Sequence, residues 1–228
     1  MKRIFSKEFY KASIKEFTNV KSIVLMSIFV ALMTVIGGVL SLNPFKIANR
    51  TVSLIFIFWP LIGILFGPIS GLSIAILVDV LQFFIFPTGY PFYLGYTLAE
   101  MLVVFISGLF FYKSNVTILK IIIFEFILDI GVHVGIESFF MNDIMAWHLG
   151  EAFNTYVIGG FTKNIIMWPI EVVILVLILS ALLPVFKQLK LIDENISKNV
   201  VFFNKKLKKD EKDDIINKDN ISNNKEEN

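Results

Sequence analysis

The sequence predicts an all-α integral membrane protein, and two observations carry this prediction. Of the 228 residues, 56% are hydrophobic, whereas soluble domains are usually about 45–50% apolar. The 24 phenylalanines fall mostly in long uncharged runs, and such runs approach the roughly 20 residues that a helix needs to cross a bilayer. The chain has no cysteine, so disulfides, thiolate metal ligands and cysteine nucleophiles are excluded.

Six transmembrane helices are predicted from the apolar runs, taken in chain order. They are Ile23–Leu42, Thr51–Phe66, Ile69–Phe86, Leu94–Tyr112, Val116–Phe140 and Phe161–Phe186. The second is short and contains Pro60, where we expect a bend. A proline is tolerated inside a membrane helix because neighbouring groups can satisfy the freed carbonyl.

Positive charge is divided unequally between the two ends of these helices. One side holds Lys2, Arg3, Lys7, Lys11, Lys15, Lys21, Lys113, Lys120, Lys187 and Lys190, and the other holds Lys46, Arg50 and Lys163. Because cytoplasmic loops are enriched in Lys and Arg, the richer side and both termini are predicted to be cytoplasmic. Residues 1–22 then form a basic cytoplasmic segment, residues 23–192 the membrane domain, and residues 193–228 a charged tail predicted to be disordered.

The opposite, outer face is predicted to carry the more complex loops. These are the stretch Asn43–Arg50, the uncharged crossing FPTGYPFYLGYTL at residues 86–98, and a long loop near Met141–Gly160. Since loops on a rigid scaffold commonly carry function, this favours a ligand that enters from outside. The alternative is that the external loops are simply longer.

Several ionisable residues lie inside the predicted spans. Each costs roughly 2.5–3.5 kcal/mol in a membrane helix, so such residues usually face a polar interior. In the fifth span they recur at every fourth position, as Glu125, Asp129, His133 and Glu137, and so form one stripe along the helix. This stripe could be a metal or proton path, or a polar seam paired with Lys163 or with hydroxyls.

The remaining charges suggest how a ligand would be held. Asp79 and Glu171 lie near mid-span, and Glu100 begins the fourth span. A buried carboxylate can accept two N–H groups from a planar amidine-like edge, such as that of an aminopyrimidine. Arg50, and Lys163 with Asn164 where the sixth span enters from outside, could meet ligand carboxylates. The alternatives are internal salt bridges for the acids and lipid-headgroup anchoring for the cations.

Small residues mark faces where helices could approach closely. Ser27 and Ala31 lie four apart in the first span, and Gly63, Gly67 and Gly71 continue the same spacing. They could serve internal packing or the docking of another membrane protein. The chain has no GxxxxGK[ST] motif, so uphill transport would draw its energy from an ion gradient or from a separate ATPase.

Two segments resemble the folate family of substrate-binding S components of energy-coupling-factor (ECF) vitamin transporters. LVDVLQFFIFPTGYPFYLGYTLAE resembles the family's third helix, FPTG turn and fourth-helix start, although Tyr93 to Tyr96 depart from the usual pattern. FTKNIIMWPIEVVILVLILSALLP resembles its Lys-Asn entry and Pro-Ile-Glu sixth helix. LFGPISG and Ser27-x-x-x-Ala31 resemble its second turn and its small-residue docking motif.

The resemblance implies a six-helix S-component-like bundle in the cell membrane that catalyses no reaction and needs no cofactor or metal. It would capture folate or a related pterin-like vitamin and work with a transmembrane coupling (T) subunit and two ATPase subunits, docking through Ser27 and Ala31. The candidate substrate contacts are Arg50, Asp79, Phe92, Tyr93, Tyr96, Thr97, Glu100, His133, Lys163, Asn164 and Glu171.

Three alternatives stay open at this stage. The first is an S component for a different vitamin, since residues 137–158 match the folate family poorly. The second is a stand-alone proton- or metal-coupled carrier that uses Glu125, Asp129, His133 and Glu137. The third is a membrane-embedded scaffold or assembly factor without a ligand.

Overall fold

The computed structural model describes residues 6–42, 46–47, 50–87, 92–137 and 153–192. The predicted disordered tail, most of the predicted loop Met141–Gly160 and the middle of the FPTG crossing therefore lie outside the described residues. What is described is mostly helical, together with one two-residue antiparallel strand pair, β1 (Lys46–Ile47) and β2 (Arg50–Thr51).

The first helix, α1 (Lys7–Lys15), falls inside the segment that we predicted only as a basic N-terminal region. The Ser6 hydroxyl caps it by accepting a hydrogen bond from the Glu8 N–H at 3.2 Å, as N-cap serines commonly do. Phe9 and Ser13 lie four residues apart on its buried face. A 3₁₀ turn, Glu16–Thr18, leads into α2 (Val20–Leu42).

The next helical segment covers the predicted second and third spans. It begins with a 3₁₀ turn, Ile55–Ile57, and continues as α3 (Phe58–Ile85). Gly67 interrupts α3 with φ 75° and ψ −173°, directly before Pro68. The expected bend at Pro60 is wrong: Pro60 lies in the first turn of the helix, where its missing N–H costs no hydrogen bond.

The interruption at Gly67 folds α3 back on itself. An ideal Cβ placed on Gly71 would lie 3.1 Å from Ile62 Cγ2. In a straight helix, residues nine positions apart are separated by about 13 Å along the axis. The arms before and after Gly67 therefore lie side by side, as the two predicted spans joined by a minimal turn require.

The remaining helices lie further along the chain. They are α4 (Leu94–Phe111), α5 (Ile118–Phe126), which continues as a π-helix through Ile127–Ile136, and α6 (Phe153–Gln188). In the π-helix the Glu137 N–H donates to the Val132 carbonyl, five residues earlier. Residues 153–160 were predicted as part of the outer loop; they are helical, so that boundary was wrong.

Four stretches of the described chain are long and apolar enough to cross a membrane. They are Val20–Leu40, Ile55–Ile85, Leu94–Phe111 and Val157–Gln188. The predicted second and third spans share one of these stretches. The predicted fifth span, Val116–Phe140, is not among them, and its last three residues lie outside the described residues.

Close helix contacts at small residues build the core, and α3 packs chiefly against α4. Helices α3 and α4 approach so closely that a Cβ on Gly63 would meet Ser107, and one on Gly108 would meet the Pro68 backbone. Ser107 also donates a hydrogen bond to the Trp59 carbonyl at 2.5 Å. The GxxxG series is therefore used for internal packing, one of the two interpretations of its spacing.

Candidate functional site

A polar contact joins α4 to the second arm of α3. Thr97 donates its hydroxyl hydrogen to Asp79 Oδ2 at 2.5 Å. Thr97 is buried and Asp79 is half-buried. Two of the predicted site residues are thus brought together in the first turn of α4, at the C-terminal end of the FPTG crossing.

A second polar group lies one turn further along α4. Glu100 interacts electrostatically with Asp79 and with the pair formed by His133 and Glu137. His133 Nδ1 lies 2.5 Å from Glu137 Oε1, and both side chains remain partly exposed, at 24% and 20%. Glu100 Oε2 is buried and has no hydrogen-bond partner among the described residues. The first half of α4 therefore faces the π-helical part of the fifth predicted span.

The most buried acids form a cluster between α5, the π-helix and α6. Carboxylate oxygens of Glu125, Asp129 and Glu171 all lie within 4.8 Å of one another. The three residues are only 1%, 3% and 6% exposed. Glu125 Oε1 and Asp129 Oδ2 have no hydrogen-bond partner within the described ranges. Such a cluster can accept several N–H donors from a ligand, and its oxygens could also hold a metal ion.

Lys163 and Asn164 of α6 add further polar groups near this cluster. Asn164 is 2% exposed, and its side-chain amide donates to the Asp129 carbonyl at 3.0 Å. Lys163 interacts electrostatically with Asp129 and Glu171. Because α6 begins at Phe153, both residues lie more than two turns inside the helix, and their position where the span enters from outside stays a prediction.

Asp129 and His133 both lie in the π-helical segment. Asp129 is 3% exposed and belongs to the acidic cluster, whereas His133 is paired with Glu137 and its side chain is 24% exposed.

The predicted aromatic contacts lie at the surface. Phe92 and Tyr96 are 42% and 40% exposed, respectively. Tyr93 is half-buried and packs edge-on against Tyr96, with ring centroids 6.3 Å apart, and Phe92 packs against Phe83 at 5.3 Å. The Arg50 backbone belongs to β2, and its side chain lies outside what is described.

The predicted docking residues lie on an open face of α2. Ser27 and Ala31 are exposed, and the Ser27 hydroxyl donates within its own helix to the Ile23 carbonyl at 3.0 Å. Small exposed residues four apart leave room for another helix to approach. Their role in docking stays a prediction.

The cluster adds two residues to the predicted site. The sequence spacing groups Glu125 and Asp129 only as part of the stripe in the fifth span and does not connect them with Glu171 in the sixth. The available signal was three acids near the middle of predicted spans, because acids at that depth tend to face a shared polar interior.

Comparison with known proteins places this bundle in a family. A sequence profile described as "ECF transporter, substrate-specific component" matches residues 21–179. The "Folate transporter FolT" of Clostridium novyi (strain NT) is 29% identical over 114 residues, which cover 50% of this chain. The match spans 63% of that relative's length.

A solved structure shows the same fold. The crystal structure of FolT bound with folic acid aligns with a TM-score of 0.57 and 24% sequence identity, covering 68% of this chain and 88% of that one. The resemblance that the FPTG and Lys-Asn segments indicated is therefore confirmed at the level of the family. The chain belongs to the substrate-specific components of ECF transporters, which are multi-pass proteins of the cell membrane and not enzymes.

Proposed function

We propose that this chain is the substrate-binding subunit of an ECF-type ABC importer and that it captures folate or a related pterin-like vitamin from the outer face of the membrane. The observation that carries the proposal is the acidic interior shared by α3, α4, the α5/π segment and α6, which lies within the residues matched by the family profile. The name of the 29% identical relative supports folate as the vitamin.

The proposed topology has six membrane crossings with both termini in the cytoplasm. The fold-back at Gly67 supports two crossings within α3. The continuous helical segment from Ile118 to Ile136 supports a further crossing despite its charges, because acids are tolerated in a span when they face a polar interior. The lysine asymmetry supports the orientation.

The chemistry of the acidic cluster fits a nitrogen heterocycle. An aminopyrimidine edge presents adjacent N–H donors. Glu125 and Asp129 each offer a buried acceptor oxygen that has no hydrogen-bond partner among the described residues, and Glu171 lies beside them. Hydrogen bonds to charged groups contribute roughly 1.5–3 kcal/mol each. Lys163 would pair with a carboxylate of the ligand, since it lies beside the cluster.

The other predicted contacts complete the proposed site. Asp79, Thr97, Glu100 and His133 would line the passage from the FPTG crossing to the cluster, and Asn164 would fix the Asp129 segment. Phe92, Tyr93 and Tyr96 would stack on the ring at the rim, and Arg50 would meet a ligand carboxylate.

We further propose that transport requires partners. The chain would work with a transmembrane coupling (T) subunit and two ATPase subunits, because its sequence contains no phosphate-binding loop of the GxxxxGK[ST] type. Ser27 and Ala31 would form the docking face for the coupling subunit, since they are small, exposed and four residues apart.

Radiolabelled folate binding to the purified full-length protein tests the proposed substrate. We expect saturable binding that unlabelled folate displaces and that Glu171→Gln weakens at least tenfold, because the variant replaces one acceptor oxygen with a donor. Glu8→Gln is the matched control, since Glu8 is exposed on α1, and it should leave the affinity unchanged.

Parallel measurements with other vitamins separate the outcomes. Tight binding of riboflavin, thiamine or biotin without folate binding would retain the family function and reject the proposed substrate. Proton- or metal-driven uptake by the protein alone in liposomes, abolished by His133→Ala, would instead support a stand-alone carrier.

A further inference from the structure

The N-terminal helix α1 is fixed to the membrane bundle by a dense set of hydrogen bonds. The Ser13 hydroxyl donates to the Phe66 carbonyl at 2.7 Å and accepts from the N–H groups of Ile69 and Ser70 at 3.0 and 3.1 Å. Ser70 in turn donates to the Ser13 carbonyl. Ser13 therefore satisfies the backbone groups that the break at Gly67 leaves without helical partners.

Glu16, the residue directly after α1, links the same segment to α2 and α4 by hydrogen bonds. Glu16 accepts hydrogen bonds from Ser22 in α2 at 2.5 Å and from the Tyr112 hydroxyl at the end of α4 at 3.2 Å. Phe9 packs edge-on against Tyr112, with ring centroids 5.5 Å apart. The orientation of α1 relative to the bundle is thus set on its buried side.

The opposite side of α1 is basic and partly apolar. Lys7, Lys11 and Lys15 lie four residues apart and are exposed, and Ile14 lies beside them with 50% of its surface exposed. Across the described part of the chain, the salt bridge found is His133–Glu137, so these lysines have no described carboxylate within 4.0 Å. Their charges remain available to an external partner.

The exposed apolar side chains of α2 continue in sequence into this segment. Along α2 they are Val20, Ile23, Val24, Ile28, Leu32, Val35 and Val39, and Phe17 and Ile14, which precede them, are exposed as well. In the protein without partner subunits, exposed apolar side chains along a membrane-crossing helix face the lipid. Phe17 and Ile14 lie within six residues of Val20, the first residue of α2, where the helix would reach the boundary of the acyl chains.

We propose that α1 is an interfacial helix that binds anionic phospholipid headgroups through Lys7, Lys11 and Lys15, with Ile14 and Phe17 inserted at the boundary of the acyl chains. Lysine stems can bury their methylenes while the ammonium groups reach the phosphates. Amphipathic helices with this composition lie in the plane of the membrane surface. Because Ser13 and Glu16 fix α1 to the bundle, the lipid contact holds the Gly67 turn at the membrane surface.

The absence of cysteine allows a direct test of depth. Nitroxide labels on Ile14→Cys, on Ile28→Cys as the lipid reference and on Asn115→Cys as the aqueous reference would each report from a single site. The protein is reconstituted in vesicles of one part phosphatidylglycerol to three parts phosphatidylcholine. We expect the Ile14 label to collide with oxygen at least threefold more, relative to a water-soluble nickel chelate, than the Asn115 label does. Equal accessibility at positions 14 and 115 would overturn the proposal.

A second measurement tests the headgroup contact. Spin-labelled lipids report how strongly the protein prefers phosphatidylglycerol to phosphatidylcholine. The triple variant Lys7→Gln/Lys11→Gln/Lys15→Gln should reduce that preference about fivefold or more, since one lysine near an anionic surface contributes about a factor of five. Lys187→Gln/Lys190→Gln, at the C-terminal end of α6, is the control and should retain most of it.

The triple variant leaves the Ser13 and Glu16 hydrogen bonds in place, so its folding is checked by its melting temperature. An unchanged lipid preference in the folded variant would reject the proposal. The Ile14 label could also become protected from the nickel chelate only after the coupling and ATPase subunits are added. That result would reject the proposal and would identify a protein as the occupant of this face.

Discussion

Thr97 donates its hydroxyl hydrogen to Asp79 at 2.5 Å and so ties the first turn of α4 to the second arm of α3. Asp79 precedes the FPTG crossing in the sequence, and Thr97 lies at its C-terminal end. The hydrogen bond therefore holds the second arm of α3 next to the first turn of α4, the two helical segments that this crossing connects. One carboxylate oxygen of Asp79 therefore has a neutral hydroxyl as its partner.

Replacing Thr97 with valine tests this contact, because valine keeps the shape and removes the hydroxyl. Asp79 would lose a hydrogen bond inside the bundle, and we expect the free energy of unfolding in detergent to fall by about 1–3 kcal/mol. Thr162→Val is the control, since the exposed Thr162 hydroxyl bonds only within its own helix, to Ile158. Equal melting temperatures for the two variants would count against a structural role of the Thr97–Asp79 contact.

Asp129→Asn separates binding from stability. Three carboxylates within 4.8 Å are costly to bury together, so neutralising one of them should stabilise the ligand-free protein by about 1 kcal/mol or more. The same change should weaken vitamin binding, because functional sites often trade stability for activity. Thermal unfolding and equilibrium binding are measured on the same preparation.

Glu137→Gln is the contrasting variant for that experiment. Glu137 is paired with His133 at 2.5 Å, so its neutralisation should lower the melting temperature instead of raising it. If Asp129→Asn lowers both stability and affinity, the acidic cluster is part of the structural core and not a site held ready for a ligand.

The close approach of α3 and α4 predicts that Gly108→Ala disrupts the bundle. The added methyl group would overlap the Pro68 backbone and lie 2.7 Å from the Gly67 carbonyl carbon. Overpacking of this kind costs about 1–3 kcal/mol or more, because backbone cannot move aside as a side chain can. Reduced yield of folded protein and a lower melting temperature are the expected readouts.

Gly160→Ala provides the matched change, since nothing lies within 4 Å of its ideal Cβ among the described atoms. Alanine is also the better helix former by up to about 1 kcal/mol. We therefore expect Gly160→Ala to be neutral or slightly stabilising. A similar loss in both variants would contradict the packing explanation.

Ser13→Ala should loosen the Gly67 turn. The variant leaves the N–H groups of Ile69 and Ser70 without the oxygen that accepts from both. We expect a loss of about 1–3 kcal/mol and faster hydrogen exchange confined to residues around 66–70. Thr18→Ala is the control, because the Thr18 hydroxyl bonds to the Lys15 carbonyl on an exposed surface. Unchanged exchange at these amides would show that the turn holds without Ser13.

Sequence spacing predicts those features that are set within a single helix, such as the order of the helices and some of their ends. The apolar runs gave helices in the right order, and the ends at Leu42 and Leu94 agree with the structure. The LFGPISG turn was placed correctly because glycine before proline both permits a positive φ and stops the preceding helix. The bend at Pro60 was misplaced because the start of the helix depends on packing around Trp59, which no local pattern reveals.

The sequence by itself determined that this is a helical membrane protein with charges inside its spans, because hydrophobic length and charge position are properties of the chain alone. Only the tertiary structure decided which charges meet. Glu125 and Asp129 reach Glu171, and Thr97 reaches Asp79, through the rotation and close packing of helices distant in sequence. The same reason explains why α1 was missed as a docked element: Ser13 acquires its role only when the break at Gly67 presents backbone groups for it to satisfy.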